Sequence, residues 1–340
     1  MPSSVFNMKV PGLLKAYTQI HRNLKEKNAK NILLVCVPIS HAKRHRTQTL
    51  YTTKGVIMKF RAVMEDAEYM REFLNIIVTL SKLTKECVIN IEKDKVHFIA
   101  NEESGTTAPL VWVDIDAKLY FPEYHLELPD KHHSQIMLSV SPANLSRAFS
   151  SLRSNARHCK LKLLNLQFPC LRVEVDVLTQ NSNQIRNTSH DVPVTVIPRS
   201  DWDFYELPQK PNCKLVLNVP SNRLMRGLID KIKNLSPTVI FYATSGGEMN
   251  LVAETELATI TTRYKNLDIK ELNPSEDERH KQQIEASCSV DCKKTSIFFS
   301  ALQVPTGELA CGIDDDRLIH LEVNIRHGIA IHSILPAVCM

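Results

Sequence analysis

Thirteen histidines and nine cysteines are enough to build a metal centre or a nucleophile, so their spacing decides whether they do. Cys288-x3-Cys292 has no matching second pair, and His132-His133 and His320-x6-His327 lack partners at structural-zinc spacing. These read as ordinary surface and core residues, and no metal is expected. A thiolate nucleophile needs a base within hydrogen-bond reach, and nothing along the chain selects one Cys and one His for that role. Gly246-Gly247 is a lone pair that suits a hairpin turn better than a phosphate cradle. Asp314-Asp315-Asp316 sits between two expected strands and reads as a solvated turn rather than a cation site. No Gly-rich phosphate loop is present, so no catalytic residue, no nucleotide and no cofactor are expected, and the chain reads as a non-enzyme.

What remains is charge. The net charge of +5 over 340 residues divides unevenly. Residues 1–57 hold 10 Lys/Arg against the single acid Glu26, whereas residues 58–340 hold 32 against 36 and are net −4. Nucleic-acid contact by the body must therefore come from the arrangement of its bases, not from bulk attraction. The basic leader, with its cluster His41-Ala-Lys43-Arg44-His45-Arg46, reads as an unstructured extension, an import signal or a nucleic-acid tail, and Met58 is an alternative start. Nine thinly spread cysteines without a secretory leader read as reduced thiols of an intracellular protein, so the sequons at Asn144 and Asn187 are discounted. The longest apolar stretches, such as Ile32–Ile39, fall far short of the ~20 residues of a membrane helix.

Period-two alternation dominates from Lys59 onward. In Leu171-Arg-Val-Glu-Val-Asp-Val177 the apolar side chains share one face, and Arg172, Glu174 and Asp176 share the other. Similar runs at 88–91, 96–100, 110–115, 135–140, 160–164, 214–219, 239–243, 249–253, 258–264, 284–290, 318–325 and 329–335 predict a β-rich chain of antiparallel sheets, each with one wet face. Four segments follow the helical period instead, at 68–83, 143–155, 222–235 and 292–302, preceded by the N-cap residues Asp66, Ser141, Ser221 and Asp291. The element order recurs in outline, giving a first domain at 58–177 and a second at 193–338. The polar stretch 178–192 between them reads as an inter-domain loop, and 273–283 as a mobile insertion.

The predicted helices share one property, a basic outer face. On the third, Leu224, Leu228, Ile232 and Leu235 fall on one side, with Arg223, Arg226 and Lys233 opposite and Asp230 among them. On the first, Met70, Phe73, Leu74, Ile77 and Leu80 point inward, opposite Arg71, Asn75 and Lys82. The second sets Arg147 outward, with Arg153 and Arg157 at its flank and end, and the fourth offers Lys293 and Lys294 in its first turn. Four such faces on one side of a sheet would give an acidic body a positive surface suited to tracking a phosphate backbone.

The runs Met58-Lys-Phe-Arg-Ala62, Asn144-Leu-Ser-Arg-Ala148, Phe168-Pro-Cys-Leu171, His190-Asp-Val-Pro-Val-Thr-Val-Ile-Pro-Arg199, Asp230-Lys-Ile-Lys-Asn-Leu-Ser236 and Gly247-Glu-Met-Asn-Leu-Val-Ala-Glu-Thr-Glu256 occur in an order that resembles the Hus family of the nine-one-one checkpoint clamp. The resemblance covers about 280 residues, from Met58 to Val338. It departs from the family in the leader, and between Glu92 and Lys131 little beyond the strand pattern supports it.

The resemblance implies an α+β, PCNA-like DNA clamp: two similar domains of antiparallel sheets with four helices on the inner face. It implies a non-catalytic subunit of a heterotrimeric sliding clamp, completed by two paralogous subunits, placed by a clamp loader around double-stranded DNA without regard to sequence. Such a clamp serves checkpoint and repair proteins in DNA damage signalling, acts in meiosis, and resides in the nucleus with a cytoplasmic pool of unassembled subunit. No membrane partner is implied. DNA contact then falls to Arg71, Lys82, Arg147, Arg153, Arg157, Arg223, Arg226, Lys233, Lys293 and Lys294. By analogy the neighbour-pairing edges are Cys170, Leu171, Val173, Val175 and Val177 on one side, and Ala258, Ile260, Thr262 and Tyr264 on the other. The alternative is a clamp-fold adaptor that does not encircle DNA.

Overall fold

The computed structural model describes residues 58–100, 109–128, 134–179, 184–274, 283–304, 307–326 and 328–338. The basic leader and residues 275–282 of the expected insertion lie outside them. Four α-helices of more than one turn stand among the described residues: α1 (Ala67–Leu83), α2 (Pro142–Ala148), α3 (Asn222–Ile232) and α4 (Cys292–Ala301). Aspartates open two of them by accepting from amides that a first turn leaves unpaired. Asp66 takes the amides of Glu68 at 2.7 Å and Tyr69 at 3.1 Å, and Asp291 takes that of Lys294 at 2.9 Å. Ser141 and Ser221 precede α2 and α3 without a side-chain cap bond, and Pro142 supplies the preset φ of a first helical residue.

Two helices are shorter than their sequence period suggests. After Ala148 the chain tightens into a 3-10 turn, Phe149–Arg153, which lets Phe149 and Leu152 both be buried at a spacing of three. Helix α3 stops at Ile232, and Leu235 closes a tight turn through its amide to the Ile232 carbonyl at 2.8 Å.

The strands of the first half are β1 (Lys59–Met64), β2 (Cys87–Glu92), β3 (Lys95–Ala100), β4 (Leu110–Asp116), β5 (Glu123–Glu127), β6 (Gln135–Val140), β7 (Ala156–Asn165), β8 (Pro169–Leu178) and β9 (Ile185–Val196). Those of the second are β10 (Leu215–Asn218), β11 (Thr238–Thr244), β12 (Glu248–Glu254), β13 (Thr259–Tyr264), β14 (Ile269–Leu272), β15 (Glu285–Asp291), β16 (Glu308–Asp314), β17 (Leu318–Arg326) and β18 (Ile329–Pro336). Each half thus reads strand, helix, five strands, helix, three strands. Fourteen strands form one antiparallel sheet in the order β14-β10-β16-β17-β18-β4-β3-β2-β6-β9-β8-β7-β1-β5, and β13-β12-β11-β15 form a second. The halves are joined where β18 pairs with β4, in a register that sets His332 opposite Trp112.

Alternation along these strands sends every second side chain into one continuous core shared with the helices. Phe73 of α1 meets Phe98, Phe121 and Phe149 edge-on, with centroids 6.1, 6.1 and 5.2 Å away. Helix α1 packs on α2 and on α4, and α4 packs on α3, so the helices form one layer in the order α2-α1-α4-α3. The Gln303 amide donates to Thr79 Oγ1 at 3.0 Å and stitches α1 to the end of α4. On the opposite sheet face, the segment that follows β9 lays Trp202, Tyr205 and Leu207 over Val88, Ile99, Met137 and Ile197.

Two expectations are overturned here. Most of the stretch read as a loop, 178–192, is strand β9, paired with β8 from Cys170↔Pro193 to Leu178↔Ile185. Its polar composition reflects an exposed edge strand whose residues 185–191 bury no side chain, so no apolar period marks it. Consequently β8 is no edge: it lies between β7 and β9, and Cys170, Leu171, Val173 and Val175 are core residues, with Val177 packed against that core. Alternation identifies a strand with one buried face but carries no information on whether both its backbone edges are taken.

Candidate nucleic-acid interface

Helix α1 turns Met70, Phe73, Leu74, Ile76, Ile77 and Leu80 inward, which leaves Arg71 and Lys82 on its open side, eleven residues or about 16 Å apart along the axis. Arg147 is exposed near the end of α2 and Arg153 at the end of the 3-10 turn. Arg157, expected at a helix end, is exposed on β7 instead, because the helix gives way before it. Lys293 is exposed in the first turn of α4, and Lys294 is half-buried. Arg71, Lys82, Arg147, Arg153, Arg157 and Lys293 have no acidic partner among the described residues, which leaves their charge available to an external anion.

Helix α3 departs from its expected wheel. Met225, Ile229 and Ile232 are buried, whereas Leu224 is 59% exposed and Leu235 52% exposed. The helix is rotated relative to the leucine-based reading, because Met225 and Ile229 fill the core in their place. Arg223 remains exposed and has no acidic partner among the described residues. Arg226 lies 3.8 Å from the Asp230 carboxylate, and Lys233 is 2.7 Å from the same group and 3.1 Å from Ser296 Oγ. The Lys233 hydrogen bond holds the Asp230 carboxyl below the usual carboxylate range. Asp230 thus neutralises much of what Arg226 and Lys233 would offer. Lys231, which the wheel reading missed, is exposed without an acidic partner among the described residues, and it continues the i, i+4 line Arg223, Gly227, Lys231. A Cβ built on Gly227 meets nothing within 4 Å, so this line faces open space.

The sheet edges complete the site. Residues 185–193 of β9 pair on one side only, since β6 joins β9 only from Val194 onward. Strand β13 ends the four-stranded sheet, with Ile260 39% exposed and Thr262 and Tyr264 half-buried. Ala258 lies before that strand, in a turn where its carbonyl accepts from Thr255 Oγ1 at 2.7 Å. Both expected turns are hairpins: Gly247, at φ +76°, links β11 to β12, and Asp316, at φ 49°, links β16 to β17. In the latter, Asp315 is taken by Lys214 at 2.6 Å and the Ser287 amide at 2.8 Å.

A helical layer with cations on its open side, backed by antiparallel sheets that leave β9 and β13 open edges, defines the PCNA-like clamp class. The same fold occurs in proliferating cell nuclear antigen of Entamoeba histolytica, with a TM-score of 0.60 at 12% identity over 82% of this chain and 99% of that one. Thermococcus kodakaraensis PCNA gives 0.58 at 20% identity over 82% and 99%. Residues 58–339 match the family model described as Hus1-like protein, and the chain belongs to that family. It is 48% identical over 285 residues to "Checkpoint protein Hus1-like" of Drosophila melanogaster, covering 83% of this chain and all of that one. It is 31% identical to human "Checkpoint protein HUS1", covering 82% and 99%.

Proposed function

We propose that this chain is a non-catalytic subunit of a heterotrimeric checkpoint clamp that encircles duplex DNA at damage sites, in the nucleus, and carries checkpoint and repair proteins there. The observation that carries this reading is the helical layer: unpaired cations line it from end to end although residues 58–340 are net acidic. Contacts of that kind are sequence-independent and salt-sensitive, which suits a ring that holds DNA by enclosure. The open backbone edges of β9 and β13 are the surfaces we assign to the two paralogous neighbours, each adding a strand. Relatives named as checkpoint proteins support the signalling role. Loading by an ATP-driven loader and a part in meiotic recombination belong to the same proposal.

The test is retention of residues 58–340, co-expressed with the two paralogous subunits and loaded with the clamp loader, on closed circular and linear DNA. A one-to-one-to-one complex that stays on circles and runs off linear ends supports the clamp. A chain that takes up partners but is retained on neither template would make it an adaptor.

A further inference from the structure

On the sheet face turned away from the helices, four neighbouring strands place titratable side chains in a row. His97 on β3 bonds through Nδ1 to Asp114 Oδ1 on β4 at 2.7 Å. The other Asp114 oxygen lies 3.5 Å from His332 Nε2 on β18, and His332 Nδ1 lies 3.2 Å from His320 Nε2 on β17. His320 and His332 are 3% and 6% exposed, and Trp112 stacks on His332 at 4.8 Å with 14° between the rings. Glu322, beside them on β17, brings a carboxylate oxygen within 4.8 Å of one ring nitrogen of each histidine and holds Lys210 at 2.9 Å.

We propose that His320, His332 and Glu322 form a three-ligand site for a divalent transition-metal ion of the zinc class, with Lys210 as its displaceable cover. Two nitrogens bound to a tetrahedral zinc at 2.0–2.1 Å stand about 3.3–3.4 Å apart, so the facing imidazoles already sit near ligand separation. The Asp114 carboxylate, 3.5 Å from His332 Nε2, favours the tautomer with its hydrogen there and a lone pair on Nδ1, the carboxylate–histidine arrangement that orients metal ligands. In the metal-free protein one N–H fills the gap between the rings. On binding, that hydrogen moves to the other nitrogen of His320, and both rings stay neutral. Glu322 exchanges the Lys210 ammonium for the ion, and Lys210 keeps a second carboxylate, Glu271, at 3.8 Å. Three protein ligands leave the fourth position to water.

The experiment is a Co2+ titration of the full chain after chelator treatment, read by the visible bands of tetrahedral cobalt and by Zn2+ competition. One equivalent should bind. Glu322→Gln and His332→Gln should each weaken binding at least tenfold, Asp114→Asn by about 10- to 100-fold, and Lys210→Ala should tighten it. Far-UV dichroism checks that the variants fold, and Glu322→Gln, whose site is partly open, decides the matter if His332→Gln does not. Absence of a tetrahedral spectrum, or binding that Glu322→Gln leaves unchanged, overturns the proposal, the latter because the ion then sits elsewhere.

Discussion

Arg326 of β17 sets its Nε 2.8 Å from Oε1 of Glu72, a carboxylate buried in α1 whose other oxygen accepts from Tyr120 at 2.9 Å. The pair therefore fastens the last strands of the chain to its first helix, and a second Arg326 bond to Glu68 at 2.8 Å braces it. Arg326→Ala leaves the buried Glu72 carboxylate without its cation and should lower stability, less than the loss of a fully buried partner would because the arginine is half exposed. Chemical denaturation of Arg326→Ala, Glu72→Gln and the double variant measures this. A double variant no more stable than Arg326→Ala alone would show that Glu72 does not need its partner.

The glycines predict opposite signs. A Cβ on Gly247 would lie 2.6 Å from the Leu267 carbonyl oxygen at a positive φ, so Gly247→Ala should destabilise by about 2 kcal/mol or more. Gly227 has open space within α3, and Gly227→Ala should stabilise by about 0.5–1 kcal/mol. Denaturant midpoints of the two variants check both.

Burial pushes the Cys213 and Cys288 thiols up to about 12 and Cys292 to about 11. The folded chain then holds protons that the unfolded chain loses near pH 9, so this contribution is complete below pH 9 and declines as pH rises towards 11–12. Each thiol adds about 1.4 kcal/mol per pH unit to the slope within that window. Denaturation midpoints at pH 7 to 11 should be level and then fall, and Cys292→Ala should make the fall shallower.

Strand position separates two lesions of similar chemistry. Val173→Asp puts a charge in the core and should unfold the chain. Ile260→Asp sits on the exposed β13 edge and should leave dichroism and thermal unfolding nearly unchanged while abolishing uptake of a paralogous subunit. Light scattering of the mixed subunits distinguishes these outcomes, and an Ile260→Asp chain that still assembles would remove β13 from the interface.

On the DNA side, Arg223→Ala and Lys231→Ala should each lower the salt dependence of DNA binding by about one unit of slope. Arg226→Ala should change it less, because Asp230 already holds that guanidinium. Binding isotherms of the assembled ring at several salt concentrations give the slopes.

Much of this was legible along the chain. Val173 and Val175 could be placed in a core, and Asp66 and Asp291 at helix starts, from residues within a few positions of each. The clamp fold was implied by the family resemblance, whereas the outward positions of Arg71, Lys82, Arg147 and Arg223 were readable from helical period. Lys231 was not, since the leucines of α3 suggested a rotation that Met225 and Ile229 overrule. The neutralisation of Lys233 depends in part on Ser296, 63 residues away.

The sequence by itself determined the strands with one buried face, the starts of the four helices and the basic side of α1, because alternation, capping and helical period are local properties of neighbouring side chains. Only the tertiary structure decided that β9 rather than β8 is the open edge, that Arg326 meets Glu72, and that His320 pairs with His332 rather than with a residue at zinc-motif spacing. Those outcomes depend on which distant backbones share hydrogen bonds, and the register of β17 on β18 and of β18 on β4 exists only once the sheet has closed.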